Sequence, residues 1–261
     1  MSSIKRIILD IFKILLPLDN MKVSEKIKKR ILKMPAGITF KYQQLKVEAI
    51  EYSAATKVIE RLIKKGLIAR ASTGVFYKPK KTGFGNLKPN EEELLKPYLF
   101  EDNKRVAYIT GPSLYNKMGL TTQVPKNIKV ASRNKRIATK LGSVQVKPVK
   151  SYVDVTDGNY YLMELLDILK DYKTIPDSDK VQVIKFVLRK IKELSKIEKE
   201  QLIKIAIKYP PRVRAFLGAL ITELNYNAAT IDLKKSINPL TTFKLGITPD
   251  QLSTIRFWNI H

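Results

Sequence analysis

At Gly66 the apolar period of the chain changes from 3.6 residues to about 2, and this switch restricts the fold of the first third more than any other feature. Upstream, Ala55, Val58, Ile59, Leu62 and Ile63 recur as one helical stripe. Ser53, Thr56, Lys57, Glu60, Arg61 and Lys64 make the opposite, polar face. Ser53 is predicted to cap this helix and Gly66 to close it. Downstream, Leu67–Ala71 and Val75–Lys78 flank the small polar turn Ser72-Thr73-Gly74, which predicts a β-hairpin. Pro79 to Gly83 ends it.

The residues before this helix extend the pattern. Val23, Ile27, Ile31 and Met34 form a helical stripe, with Ser24 placed as cap, Glu25 in the positive first turn and Pro35-Ala36-Gly37 as the stop. Ile38 starts a short strand, and a short second helix is expected over Lys41 to Ala49 with Leu45 inward. Three helices followed by a hairpin is the order of a winged helix-turn-helix, here assigned to residues 22–85. In that fold the start of the third helix enters the major groove and the wing follows the phosphates. Ser53, Thr56, Lys57 and Arg61 are therefore the expected groove residues. Lys64, Arg70, Lys78, Lys80 and Lys81 are the expected backbone contacts.

Charge agrees with such a partner. The chain has 49 Lys and Arg against 24 Asp and Glu, a formal net charge of +25. Residues 1–90 hold 20 Lys and Arg against 6 Asp and Glu, more than half of the excess. A surplus of this kind favours a polyanion. The same composition excludes much chemistry. There is no cysteine, so disulfide scaffolds, thiolate zinc sites and cysteine nucleophiles are ruled out. The one histidine is His261, which removes the usual general base, and no enzyme activity, metal or cofactor is expected. Glu91-Glu92-Glu93 suits the start of a helix better than a metal site, since consecutive helical residues point apart. Gly111 is not part of a repeated glycine pattern or a Gly-Lys-Ser/Thr loop, so no nucleotide loop is read.

The apolar run Ile7 to Leu16 is broken by Asp10 and Lys13 and falls short of the roughly 20 residues of a membrane span. Residues 1–21 are read as an N-terminal extension: an amphipathic surface helix, a helix packed on the body, or a poorly ordered tail. With no signal-peptide pattern, a cytoplasmic protein without a membrane partner is expected.

Gly83 to Asn90 reads as a linker to a larger C-terminal domain, residues 86–261. Its first part, 86–158, is expected to be α+β: a strand at Val106–Gly111, a short helix from Pro112 to Gly119, a strand at Asn127–Ala131 and alternating residues from Lys140 to Val155. Its second part, 159–261, has helical period throughout, with a capping box at Ser195 and Glu198, and is expected to pack as a helical bundle. The predicted class is α+β, predominantly helical. Ser132 to Arg136 is a basic loop that motivates an alternative reading as an RNA-binding protein. Asp167, Asp171, Asp177 and Asp179 are read as helix-end and surface groups.

Several stretches carry a family resemblance. Tyr108-Ile109-Thr110-Gly111, Ser113-Leu114-Tyr115 and Gly119-Leu120-Thr121-Thr122-Gln123-Val124-Pro125 resemble the core of the second domain of AbiEi-type antitoxins, and the N-terminal pattern resembles their winged helix. Tyr209 to Ala215, Asn238 to Ile247 and Trp258-Asn259-Ile260 are similar to an AbiEi-related branch. The resemblance spans about residues 22–261. It implies the antitoxin of a type IV toxin–antitoxin system that binds inverted repeats in its own promoter, cooperatively with neighbouring copies, and represses the operon. It also implies that the protein opposes a nucleotidyltransferase toxin without a stable complex. A scaffold that sequesters the toxin is the remaining alternative.

Overall fold

A computed structural model describes residues 23–83, 85–142, 144–226 and 230–261, so the expectations for residues 1–21 lie outside the described residues. The fold is α+β. No helix among the described residues is long and apolar enough to cross a membrane. The chain divides into two compact units, one ending at Pro97 and one spanning Tyr98–His261.

In the first unit, helix α1 (Val23–Lys33) leads to strand β1 (Thr39–Lys41). The helix expected over Lys41–Ala49 is absent. Two single 3-10 turns, Tyr42–Leu45 and Ala49–Glu51, take its place. Lys46 sits between them in the left-handed region at φ 47, which no helix can continue through. Only Leu45 in this stretch is fully buried, with Tyr42 and Val47 half-buried against the same core, too little apolar surface to offset the cost of nucleating a longer helix. Helix α2 (Tyr52–Lys64) follows, with Ala55, Val58, Ile59 and Leu62 buried as the stripe predicted and Ile63 half-buried. It starts two residues earlier than a cap at Ser53 implies, and no side chain caps it, so Ser53 is an exposed first-turn residue instead of the cap. Gly66 closes it at φ 65, its N–H donating to the Ile63 carbonyl at 2.9 Å.

Strands β2 (Ala69–Ser72) and β3 (Val75–Tyr77) form the expected hairpin around Thr73-Gly74, with Gly74 at φ 73. β1 adds to the other edge of β3, giving the order β1-β3-β2. Phe76 faces Phe40 on one neighbour and Arg70 on the other. A bulge lies between Arg70 and Ser72. Ile27, Ile31, Phe40, Leu45, Ile59, Leu62, Ile68 and Phe76 close the core beneath. The segment expected to be a linker contains more structure. β4 (Lys80–Thr82) and β5 (Gly85–Leu87) pair as a second, fully exposed hairpin. Helix α3 (Glu91–Leu99) then begins with the three glutamates in its first turn. Asn90 Oδ1 accepts the Glu93 N–H at 2.9 Å, and Glu93 in turn accepts the Thr39 N–H at 3.1 Å.

The second unit opens with the two-residue strands β6 (Phe100–Glu101) and β7 (Lys104–Arg105). Its main sheet has the order β10-β11-β9-β8. β8 (Ala107–Thr110) runs antiparallel to β9 (Asn127–Ser132). β9 is parallel to β11 (Val144–Lys150), which pairs antiparallel with β10 (Thr139–Leu141). Helix α4 (Pro112–Lys117) lies between β8 and β9, with Pro at its start and Gly119 at φ 71 just past its end. The rest is helical: α5 (Tyr160–Asp171), α6 (Lys180–Glu193), α7 (Lys196–Ala206), α8 (Pro211–Glu223) and the short α9 (Ile231–Lys235). The capping box at Ser195 and Glu198 is present at the start of α7. Asp179 caps α6 through the N–H groups of Val181 and Gln182. One apolar core joins Tyr108 and Tyr115 to α5–α8 and to Trp258 near the C-terminus.

Candidate functional site

The outer face of α2 gathers the expected groove residues on one rigid element. Lys57, Arg61 and Lys64 stand at i, i+4 and i+7, so they form a ridge with one cation per helical turn. All three are exposed, and among the described residues none of their side chains makes an ion pair or hydrogen bond. The buried stripe on the far side of the helix fixes this orientation, because rotating α2 would expose Val58, Ile59 and Leu62. Ser53 is exposed at the N-terminal end. Thr56 is half-buried and donates its hydroxyl to the Tyr52 carbonyl at 2.9 Å, so its oxygen remains available chiefly as an acceptor.

The expected backbone contacts divide. Arg70 is exposed on β2, its guanidinium 5.6 Å from the centroid of the Phe76 ring. That stacking positions the charge without neutralising it. Lys80 and Lys81 are exposed, but they belong to the second hairpin, β4–β5, and not to the β2–β3 hairpin. Lys78 is already engaged. Its ammonium donates to the Leu32 carbonyl at 2.9 Å and the Met34 carbonyl at 3.3 Å, satisfying the C-terminal end of α1. The β2–β3 turn itself, Ser72 to Gly74, has no cation.

Two features escaped the sequence reading. Ile50 is 88% exposed in the turn that leads into α2, beside the exposed Tyr52, whose ring lies 5.5 Å from that of Tyr42. Neither falls on a periodic stripe, so no pattern singled them out. Arg30 bonds the carbonyls of Leu45 and Lys46, which holds the first 3-10 turn in place.

The second unit corrects the reading of Asp167. It is no surface group: the residue is 1% exposed. Its Oδ2 accepts the Thr110 hydroxyl at 2.6 Å and the Tyr108 hydroxyl at 2.9 Å. Its Oδ1 accepts the Lys170 ammonium at 2.7 Å and the Tyr209 hydroxyl at 3.4 Å. Asp171 accepts the Tyr115 hydroxyl at 2.8 Å. Burial, reinforced by the nearby carboxylates, pushes the Tyr108, Tyr115 and Tyr209 hydroxyls above the ordinary tyrosine range, so all three remain donors. Burial alone would lower the Lys170 ammonium, but its bond to Asp167 and the charge of Asp171 lift it above its ordinary value. Every oxygen of the Asp167 carboxylate is occupied, which marks a structural hub. No group of three His, Cys, Asp or Glu able to hold a metal occurs among the described residues.

Comparison with known proteins adds the fold and a family. No curated protein matches the chain. A solved structure, the RV2827C protein of Mycobacterium tuberculosis, is similar in fold at 12% identity, with 85% of each chain covered and a TM-score of 0.51. Residues 22–152 match a family of unknown function, DUF6088, and this span takes in the α2 cation ridge, both hairpins and the whole β8–β11 sheet. The chain belongs to the DUF6088 family.

Proposed function

We propose that the protein is a cytoplasmic DNA-binding antitoxin whose first unit is a winged helix-turn-helix. It represses its own operon from inverted repeats and opposes a nucleotidyltransferase toxin without forming a stable complex with it. The observation that carries the reading is the unpaired ridge Lys57, Arg61 and Lys64 on α2, held outward by the buried stripe behind it. Further support comes from the order α1, turns, α2, β2–β3 hairpin and from the family resemblance of Tyr108–Gly111 and Gly119–Pro125. In this reading Ser53 and Thr56 meet base edges, Lys57 and Arg61 span groove and phosphate, and Lys64, Arg70, Lys80 and Lys81 contact phosphates. Lys78 is removed from the contact set by its bonds to α1.

A gel-shift experiment with the operon's own promoter fragment tests this. Lys57→Glu or Arg61→Glu abolishes the shifted band, while the wild type gives a ladder on a two-repeat fragment. Wild-type shifting by both variants refutes the assignment. The loop behind the RNA-binding alternative, Ser132–Arg136, is in part engaged within the unit, while Arg136 stays exposed. Lys135 pairs with Glu101, Arg133 donates to the Ser151 carbonyl at 3.3 Å, and Asn134 donates to Asp154 at 3.1 Å.

A further inference from the structure

Between Lys104 and Val153 the chain carries 11 Lys and Arg and not one Asp or Glu. This run builds the β8–β11 sheet. One face of the sheet is apolar and buried through Ile128, Val130, Leu141 and Val146. The register places the cations on the other face, toward its β10 edge; toward β8 the same face turns into the core, where Thr110, opposite Lys129, and Tyr108, opposite Ala131, are buried. Lys140 on β10 stands opposite Gln145 on β11, which stands opposite Asn127 on β9. One row along, about 7 Å away, Lys147 stands opposite Lys129.

Neighbouring strands lie about 4.8 Å apart, so Lys129 and Lys147 repel each other across the sheet with no acid between them. Lys126, Lys129, Lys140 and Lys147 bond no carboxylate among the described residues. A groove of about 600 Å³ runs along this edge of the sheet, lined by Lys126, Asn127, Thr139, Lys140 and Gln145. Its lining includes no aromatic ring on which an unpaired base could stack. Ammonium, amide and hydroxyl donors are what phosphodiester oxygens accept from.

We propose that the β9–β11–β10 part of this face is a second, sequence-neutral docking surface for the phosphate backbone of duplex DNA, contacted through Lys126, Lys129, Lys140 and Lys147. The choice of DNA rests on the function proposed above; the surface itself does not depend on α2.

The test is fluorescence anisotropy of the full chain with a short labelled duplex of arbitrary sequence over a range of salt. The Lys126→Gln/Lys140→Gln/Lys147→Gln variant is compared with the wild type and with Lys57→Gln/Arg61→Gln. Three lost phosphate contacts flatten the slope of log affinity against log salt by about 2.7. The corresponding triple Lys→Arg variant keeps the wild-type slope. The substituted side chains are exposed, and an unchanged melting temperature verifies the fold. A triple Gln variant with wild-type affinity and slope overturns the proposal. A triple Gln variant that loses affinity for single-stranded RNA but not for the duplex overturns the assignment to DNA. If only the α2 variant keeps wild-type binding, the sheet surface stands and the reading of α2 falls.

Discussion

Replacing Asp167 by Ala should be the most damaging single change in the second unit, and the structure sets its size. The carboxylate is 1% exposed, and two of its donors, Tyr108 and Thr110, are equally buried at 1% and 2%. Truncation strands both hydroxyls where water does not reach. Each stranded donor costs about 1–3 kcal/mol. Lys170 keeps 18% of its side chain exposed and can turn to solvent, so its loss adds little. Tyr209, at 3.4 Å, makes the longest of the four bonds and is the smallest contributor. The sum is about 4 kcal/mol, within the range for breaking a buried pair from one side. At roughly 2–4 °C per kcal/mol for a domain of this size, the melting temperature falls by about 8–16 °C. Asp167→Asn retains the shape and one acceptor oxygen, and loses about half as much. Thermal melting by circular dichroism, with urea titration as a second probe, reads both. An Asp167→Ala protein melting within about 2 °C of the wild type would show that the hub contributes nothing net, and the argument from unsatisfied donors would be wrong.

Two further outcomes follow from packing and linkage. A Cβ built on Gly218 of α8 would lie 2.3 Å from the Trp258 ring, so Gly218→Ala drives the indole from its seat and costs about 1–3 kcal/mol despite the better helix propensity of Ala. A melting temperature equal to or above the wild type's refutes that contact. Glu164 on α5 titrates near pH 7 because burial raises it; Lys117 and Arg105 oppose the shift only in part, and the charge of Asp167 adds to it. Its folded value lies above the ordinary 4.5. The stability it contributes is therefore full below pH 4.5 and is lost as the pH rises through 7, by up to about 3 kcal/mol. Glu164→Gln should melt higher than the wild type at pH 8, with the gap closing toward pH 5. A gap that does not change with pH would sink this assignment.

Local rules made much of the fold legible. The α2 stripe, the closure at Gly66, the β2–β3 hairpin and the capping box at Ser195 all appear where period and turn chemistry place them, because each depends on residues within one or two turns of itself. The cations of α2 were equally readable, since the buried stripe dictates which side chains face outward. Two local predictions failed: the Lys41–Ala49 helix became two turns pinned by the tertiary contacts of Leu45 and Arg30, and the linker at Gly83–Asn90 became in part the exposed β4–β5 hairpin, which Thr82 closes by donating its hydroxyl to the Gly85 carbonyl at 2.9 Å.

The sequence by itself settled most of the longer helices and strands and which of their faces carry charge, because those properties repeat over two to four residues. It could not tell which charges are spent. Asp167 meets Tyr108 and Thr110 across separations of 59 and 57 residues, and Lys78 meets Leu32 across 46. Such pairings exist only once the chain has folded. They turned one apparent surface acid into a buried hub and one apparent phosphate contact into a helix cap, while strand register aligned Lys129 with Lys147.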